Sequence, residues 1–153
     1  MTLILTVIIL GIDLVSKLII SRINIESSIS LIHNFLYITY VKNTGAAFSM
    51  FDDDSILVLV VSFLIIMGIC LYIYKNKPKV LMEKVSYALI LGGAIGNFVN
   101  RIICGYVIDF IDIRIFGYNY PIFNLADTFI VIGVILLLMY TWRCNSGNKG
   151  SKL

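Results

Sequence analysis

Three aspartates near the ends of one short loop are the side chains best suited to chemistry in this sequence. Asp109 and Asp112 follow the third long apolar stretch, and Asp127 opens the fourth with no Lys or Arg beside it. Two carboxylates held close together cannot both ionise easily, so one of them keeps a proton. The ionised carboxylate can take a proton from water, while the protonated one donates to a carbonyl or a leaving amine. Such a pair hydrolyses an amide bond without a metal ion, a cofactor or a nucleophilic Ser or Cys.

The same aspartates also have a purely structural interpretation. Asp127 is typical of a helix N-cap or first helical turn, where the helix dipole favours a negative charge. Asp109 and Asp112 are typical of solvated loop charges. The spacing of the residues leaves both interpretations open, and it does not decide whether Asp109 or Asp112 would partner Asp127.

Four apolar stretches must position these aspartates. A membrane-spanning helix needs about 20 residues, and four stretches qualify: residues 2–20, 55–74, 84–104 and 124–143. The chain is 59% hydrophobic and only 14% charged, whereas a soluble domain carries roughly 25% charged residues. We therefore predict a single integral membrane domain over residues 1–153, an all-α bundle of four transmembrane helices.

The charges of the connecting segments predict how this bundle is oriented. Residues 75–84 hold four lysines against one glutamate, and the tail after the fourth span is basic. Residues 21–54 and 105–123 carry more acidic than basic side chains. Because basic loops mark the cytoplasmic side, both termini are predicted to be cytoplasmic and the two longer loops external. Residues 144–153 are expected to form a flexible tail.

The two external loops have compositions that indicate structure. Residues 30–41 (SLIHNFLYITYV) are rich in β-branched and aromatic side chains, which predicts a small sheet-like element on the outer surface. Residues 115–123 (IFGYNYPIF) mix aromatics with Gly and Pro. We expect them to form an interfacial loop, because Tyr and Phe anchor at the membrane surface.

The polar residues inside the spans are concentrated in the outer half of the bilayer. At roughly 1.5 Å per helical residue, Asp13 and Lys17 lie in the outer half, as do Asn97 and Arg101, and Asp127 is about 5 Å below the outer surface. Asp13 and Lys17 share one helix face at i,i+4 spacing, which suits either mutual pairing or contact with a substrate. Arg101 either extends to the interface or holds a carboxylate or a substrate carbonyl.

Other patterns argue against several classes of site. Gly92 and Gly96 have the spacing of closely packed helices, and they lack the strand before and the Lys-Ser/Thr after that a phosphate loop requires. The three cysteines lie far apart and His33 is the single histidine, so no metal-ligand spacing is present. No Lys/Arg run indicates nucleic-acid binding. We therefore expect no metal, no cofactor and no nucleic-acid partner.

Two other functions are compatible with a small four-span protein. A transporter or channel subunit would place Asp13, Lys17 and Arg101 along an ion path, but such a path needs polar groups in both leaflets, and the inner half has few. A non-catalytic scaffold gives no reason for two aspartate motifs to meet at one depth. Both remain weaker than hydrolysis by paired carboxylates.

Five motifs resemble those of one known family. DLVSK (13–17), NTGAAF (43–48), GGAIGNFVNR (92–101), VIDFID (107–112) and FNLAD (123–127) occur in the same order and at the same helix ends as in the bacterial lipoprotein signal peptidases. These are four-span aspartyl endopeptidases, also called signal peptidase II. The resemblance covers nearly the whole chain, and the five motifs together are highly specific.

The resemblance implies a role for each matching residue. It makes Asp109 and Asp127 the catalytic pair, and so favours Asp109 over Asp112. Residues implied to line the site and hold the substrate backbone are Asn43, Gly45, Asn97, Arg101 and Asn124, and those implied to support the fold or the pocket are Asp13 and Lys17.

The resemblance also implies the substrate and the location. The substrate would be a prolipoprotein carrying a diacylglyceryl group on its cysteine, cut just before that cysteine at the outer face of the bacterial cytoplasmic (inner) membrane. Membrane lipid would be a further partner, and we expect the enzyme to act as a monomer. The chain departs from the family pattern at Asn100, where the family usually has Asp, so an ion pair between that position and Arg101 is not expected.

Overall fold

Four long helices form the body of the protein. The computed structural model describes residues 1–23, 25, 27–45 and 55–149. Each helix is long and apolar enough to cross a membrane. They are α1 (Thr2–Arg22), α2 (Ser55–Asn76), α3 (Leu81–Cys104) and α4 (Leu125–Lys149). The predicted four-helix membrane architecture is confirmed.

The largest differences between the observed helix ends and the predicted spans are in α3 and α4. Helix α3 begins at Leu81, three residues before the predicted start, and α4 continues to Lys149 rather than ending near residue 143. Most of the expected tail is therefore helical, and its last residues, 150–153, lie outside the described part of the chain.

A four-stranded antiparallel sheet lies at one end of the bundle. Its strands, in spatial order, are β1 (Ile29–Ile32), β2 (Leu36–Asn43), β3 (Val107–Ile115) and β4 (Tyr118–Asn119). The sheet-like element predicted for residues 30–41 is present, but the sheet is larger than expected. It includes the segment that was predicted to be a loop, because VIDFIDIRI pairs antiparallel with β2 on both sides of an irregularity between Ile38 and Val41.

The β3–β4 hairpin is closed by a rigid two-residue turn. Phe116 and Gly117 both have positive φ angles, of 50° and 80°, as a turn that matches the twist of the flanking strands requires. The Phe116 ring is fully exposed at the tip. The predicted interfacial loop therefore begins as a short hairpin.

Helix α3 lies at the centre of the bundle and packs closely through its glycines. A Cβ atom on Gly92 would collide with Ile9 of α1, and one on Gly96 would collide with the carboxylate of Asp13. A Cβ on Gly93 would collide with the carbonyl oxygen of Ala126 at the start of α4. These glycines therefore allow α3 to pack closely against α1 and α4, as the structural interpretation of this stretch predicted.

The turn after α3 sets the direction of β3. Gly105 ends the helix in the left-handed conformation, with φ of 79°, and its N–H donates to the carbonyl of Arg101. Strand β3 then packs Ile108 and Phe110 against Ile20 near the end of α1. Because strand side chains alternate between faces, Asp109 points to the opposite side.

We expect Gly93→Ala to destabilise the protein and Gly68→Ala to leave it unchanged or slightly more stable. The first methyl group meets the backbone of α4, and overpacking of this kind costs about 1–3 kcal/mol. The second is a matched control, because a Cβ on Gly68 of α2 meets no atom within 4 Å. Thermal unfolding in detergent would compare the two, and equal melting temperatures would show that the α3–α4 contact tolerates a wider spacing.

Candidate active site

Asn124 and Asp127 form a reciprocal cap at the start of α4. The N–H of Asp127 donates to Asn124 Oδ1 at 3.1 Å, and the N–H of Asn124 donates to Asp127 Oδ2 at 3.2 Å. This capping box satisfies two backbone donors that a helix start leaves unpaired. The first-turn interpretation of Asp127 is therefore correct, and it occupies only one of the two carboxylate oxygens.

Asp109 reaches the same place from β3. Its Oδ1 accepts a hydrogen bond from Asn124 Nδ2 at 2.6 Å, and its Oδ2 accepts one from Asn43 Nδ2 at 2.8 Å. Asn124 thus bonds to both aspartates, to one through its side chain and to the other through its backbone. A single residue, Asn124, therefore bridges the two carboxylates by hydrogen bonds.

Asp112 lies on the other face of β3 and takes no part in this arrangement. It is three residues from Asp109, and an odd separation on a strand reverses the side. Its carboxylate pairs with Arg114 at 2.7 Å and accepts a hydrogen bond from Thr39 at 2.9 Å. The hydrogen bond from Arg114 lowers the pKa of Asp112 below its ordinary value. Strand geometry thus favours Asp109 independently of any family resemblance.

A buried ion pair lies beneath the two aspartates. Lys17 Nζ is 2.8 Å from Asp13 Oδ2, and the two side chains are 1% and 0% exposed. The other oxygen of Asp13 accepts a hydrogen bond from the N–H of Ala126 in the first turn of α4, at 3.0 Å. Of the two uses open to this i,i+4 pair, mutual pairing is the one observed, and the pair also holds the start of α4.

Asn97 connects this ion pair to the aspartates. Its Oδ1 accepts hydrogen bonds from Lys17 Nζ at 2.7 Å and from Asn124 Nδ2 at 3.2 Å. Its Nδ2 donates to Asp127 Oδ1 at 2.8 Å. Both oxygens of Asp127 therefore accept N–H groups.

Arg101 borders the site, and within the described part of the chain it makes no hydrogen bond to either aspartate. Its Nη2 donates to the carbonyl of Gly45 at 2.8 Å, which ties the end of the β2 segment to α3. Its Nε is buried and has no hydrogen-bond partner among the described residues. The rest of the NTGAAF motif, Ala46–Phe48, lies outside those residues.

The side chain of Asn100 contacts the start of β3. Its Oδ1 accepts a hydrogen bond from the N–H of Ile108 at 3.0 Å, which fixes the strand one residue before Asp109. This hydrogen bond needs only an acceptor oxygen at position 100, which an aspartate would also supply. The departure from the family pattern is therefore compatible with the same local structure.

The aspartates lie at the polar end of a cavity of about 600 Å³. That end is lined by Asn43, Asn97, Arg101, Asp109, Asn124 and Asp127. The remaining walls are mainly apolar and come from β3, the segment before α4, and α4 itself. Val131 and Ile132 of α4 line the cavity and are 56% and 43% exposed, so the cavity reaches the lipid-facing side of that helix.

The apolar walls are the part of the site that sequence reasoning missed. Residues 105–123 were interpreted as an external loop, interfacial from residue 115 onward, and Ile113, Ile115 and residues 120–123 were not identified as walls of a cavity although they supply much of its lining. The sequence feature that could have identified these walls is the alternation of side chains along β3, which places Val107, Asp109 and Ile113 on the same face of the strand.

The electrostatics of Asp109 suit proton transfer. The residue is 3% exposed, and burial raises its pKa above the ordinary value, a change opposed by the hydrogen bond from Asn43 and reinforced by the charge of Asp127. A buried carboxyl with a raised pKa retains its proton more readily. Among the described residues, no three His, Cys, Asp or Glu side chains cluster as metal ligands would.

A four-span bundle that brings two carboxylates to one cavity defines a class of protein, the membrane-embedded aspartic peptidases. The model of the family described as signal peptidase (SPase) II matches residues 5–143. The chain belongs to the signal peptidase II family. This confirms the family suggested by the five sequence motifs and the prediction of an aspartic peptidase.

Curated relatives and solved structures agree with this assignment. The chain is 38% identical over 133 residues to a lipoprotein signal peptidase of Anoxybacillus flavithermus (strain DSM 21510 / WK1), covering 87% of this chain and 79% of that one. It is also 38% identical over 131 residues to that of Halothermothrix orenii (strain H 168 / OCM 544 / DSM 9562), covering 86% and 87%.

Two solved structures, both described as bacterial membrane enzymes studied by the in meso method, superpose closely. The one at 2.3 Å resolution has a TM-score of 0.87 and 34% identity, with 95% of this chain and 90% of that chain covered. The one at 1.9 Å has a TM-score of 0.81 and 35% identity, with 92% and 91% covered.

Proposed function

We propose that this enzyme removes signal peptides from diacylglyceryl-modified prolipoproteins, cutting just before the lipid-modified cysteine, with Asp109 and Asp127 as the catalytic pair. The observation that carries the proposal is the bridge made by Asn124 to both carboxylates at the polar end of a largely apolar cavity. Family membership supports the substrate class, because the curated relatives are lipoprotein signal peptidases.

The chemistry proposed for the pair is acid–base hydrolysis through one water molecule. The ionised carboxylate removes a proton from water as the water oxygen attacks the scissile carbonyl. The protonated carboxyl gives its proton to the developing oxyanion. The carboxyl formed in the first step then protonates the amide nitrogen, the other carboxylate takes back a hydroxyl proton from the tetrahedral intermediate, and the C–N bond breaks to release the amine of the cysteine, which leaves the pair again holding one proton. The products are the signal-peptide carboxylate and the new amino terminus.

The residues around the pair divide between orienting and binding roles in this proposal. The amides of Asn43 and Asn124 are engaged with Asp109, and that of Asn97 with Asp127, so these groups orient the carboxylates. Arg101 retains N–H donors beyond the one given to Gly45, and these suit a carbonyl of the substrate backbone. Asp13 and Lys17 support the pocket from below.

The shape of the cavity suits a substrate that is part peptide and part lipid. Its apolar walls reach exposed residues of α4, so acyl chains can enter from the surrounding bilayer without crossing water. Membrane lipid is therefore proposed as a partner as well as a solvent. The exposed Phe116 and Tyr118 at the hairpin tip suit insertion at the headgroup level.

We further propose that the enzyme is a monomer in the bacterial cytoplasmic membrane, with both termini cytoplasmic and the active site at the outer face. Both carboxylates and the Asn43, Asn97 and Asn124 amides that bond to them are supplied by this chain, so the pair needs no residue from a second copy. The sheet, the ends of α1 and α3 and the start of α4 share one end of the bundle, and the lysine-rich 75–84 segment joins the opposite helix ends. The excess of lysine marks that opposite end as cytoplasmic.

This orientation predicts that a reporter fused after Leu153 lies in the cytoplasm. A fluorescent protein that folds in the cytoplasm should be bright at this position, and an alkaline phosphatase that requires export should be inactive. The same pair of reporters inserted at the Phe116–Gly117 turn provides the control with the opposite expectation. Phosphatase activity at the C-terminus would reverse the proposed topology.

The catalytic proposal predicts that Asp109→Asn and Asp127→Asn each reduce cleavage of a purified diacylglyceryl-modified precursor by at least about 100-fold, because each removes a group that transfers a proton. Asp112→Asn is the matched control, since it removes a carboxylate from the other face of the same strand, and it should retain activity. The measurement is the initial cleavage rate at equal amounts of folded enzyme.

The same assay tests how the enzyme selects its substrate. The unlipidated precursor should be cut much more slowly than the lipidated one, because it cannot fill the apolar part of the cavity. Near wild-type cleavage by either dyad variant would reject the catalytic pair. Equal cleavage of the two precursors would reject recognition of the lipid.

A further inference from the structure

A continuous set of hydrogen bonds links the buried Lys17 to the active-site carboxylate of Asp127. Lys17 Nζ donates to Asn97 Oδ1 at 2.7 Å, and Asn97 Nδ2 donates to Asp127 Oδ1 at 2.8 Å. Lys17 is 1% exposed and comes from α1, while Asn97 comes from α3 and Asp127 from α4. Three helices therefore meet along this one line of contacts.

The chemistry of these groups allows only one orientation of the Asn97 amide. A lysine ammonium has donors and no acceptor, so the amide oxygen must face Lys17. The amide NH₂ group must then face Asp127. A proton on Asp127 Oδ1 would point one donor at another, whereas an ionised oxygen accepts the N–H directly. The short contact with Lys17 at 2.7 Å, supported by the longer one from Asn124 Nδ2 at 3.2 Å, thus selects the unprotonated form of that oxygen.

The other contacts of Asp127 favour the same form. Its Oδ2 accepts the N–H of Asn124 at 3.2 Å, and the residue lies in the first turn of α4, where the helix dipole favours a negative charge. Asp109 also accepts two N–H groups, but it lies on a strand, and burial raises its pKa. The two aspartates are therefore unequally suited to holding the shared proton.

We propose that Lys17 is a positioning residue for the catalytic pair: by fixing the amide of Asn97 it holds Asp127 as the ionised partner that activates water, and leaves the proton on Asp109. This inference rests on the proposed function of the pair. Among the described residues, the hydrogen bonds that connect Lys17 to Asp127 pass through Asn97, so its effect is on the protonation and orientation of the pair rather than on the substrate.

Four other charged groups surround Asp127, and a test variant must leave their net charge unchanged. Asp13 and Lys17 face it from α1, Arg101 from α3 and Asp109 from β3. Replacing Lys17 alone would leave the carboxylate of Asp13 buried and unpaired, which is strongly destabilising. The pair must therefore be removed together, so that the net charge is unchanged.

The first test is the double variant Asp13→Asn/Lys17→Met. The amide oxygen introduced at position 13 can still accept the N–H of Ala126, and the methionine fills the space without donating to Asn97. We expect the acidic limb of the kcat–pH profile to move to higher pH by about one unit, which corresponds to about tenfold lower activity on that limb. Thr6→Val, a buried polar replacement on the same helix, is the control and should keep the wild-type profile.

A second variant covers the case in which the double variant does not fold. Asn97→Leu leaves the Asp13–Lys17 pair intact and removes the link to Asp127, and it should move the acidic limb in the same direction. Circular dichroism and thermal unfolding in detergent decide which variants are compared. A folded variant of either kind with the wild-type kcat–pH profile would overturn the inference, because a purely structural role for Lys17 changes stability and not the position of that limb.

Asp109→Asn and Asp127→Asn are assayed in the same series to separate the two proposals. Loss of activity in both, together with an unshifted profile in the Lys17 and Asn97 variants, would reject only the positioning role. Retained activity in either aspartate variant would reject the catalytic pair itself.

Discussion

The candidate active site depends on one side chain, the amide of Asn124. It caps α4 through a reciprocal pair of hydrogen bonds with Asp127, and it donates to Asp109 on β3 at 2.6 Å. A helix start and a strand are thereby locked together at the point where their carboxylates meet. Most other features of the fold serve to bring these two elements to this position, including the turn at Gly105 and the close contact at Gly93.

The membrane makes such a site costly, and the structure offsets the cost by pairing its buried polar groups. A charged side chain near the centre of a spanning helix costs roughly 2.5–3.5 kcal/mol on insertion scales. Asp13 pairs with Lys17 and also caps α4, and Asn97 accepts from Lys17 and donates to Asp127. The same contacts that satisfy the ion pair also orient the carboxylate proposed to be catalytic, so these residues combine structural support with the proposed function.

The sequence predicted the four helices, because membrane length is a strong signal. The polar residues named from the family motifs that line one cavity are Asn43, Asn97, Arg101, Asp109, Asn124 and Asp127, and their roles in catalysis and binding stay predictions. The sequence did not reveal that residues 107–115 form a strand, since pairing with β2 depends on contacts more than 60 residues apart in sequence, such as Asn43 with Asp109. Without that strand, the opposite directions of Asp109 and Asp112 could not be derived from spacing. The apolar cavity walls were missed for the same reason. The capping box, in contrast, was readable from FNLAD, where Asn precedes Asp by three residues.

The central claim is that both carboxylates act on one reacting carbon, and binding of a transition-state mimic tests it most directly. The ligand is a lipidated peptide in which a hydroxyl-bearing tetrahedral carbon replaces the scissile carbonyl, and its affinity is measured by calorimetry in detergent. The account predicts that Asp109→Asn and Asp127→Asn each weaken binding by tenfold or more, about 1.4 kcal/mol, while Asp112→Asn does not. Wild-type affinity in either dyad variant would show that the two aspartates do not converge on the reacting centre.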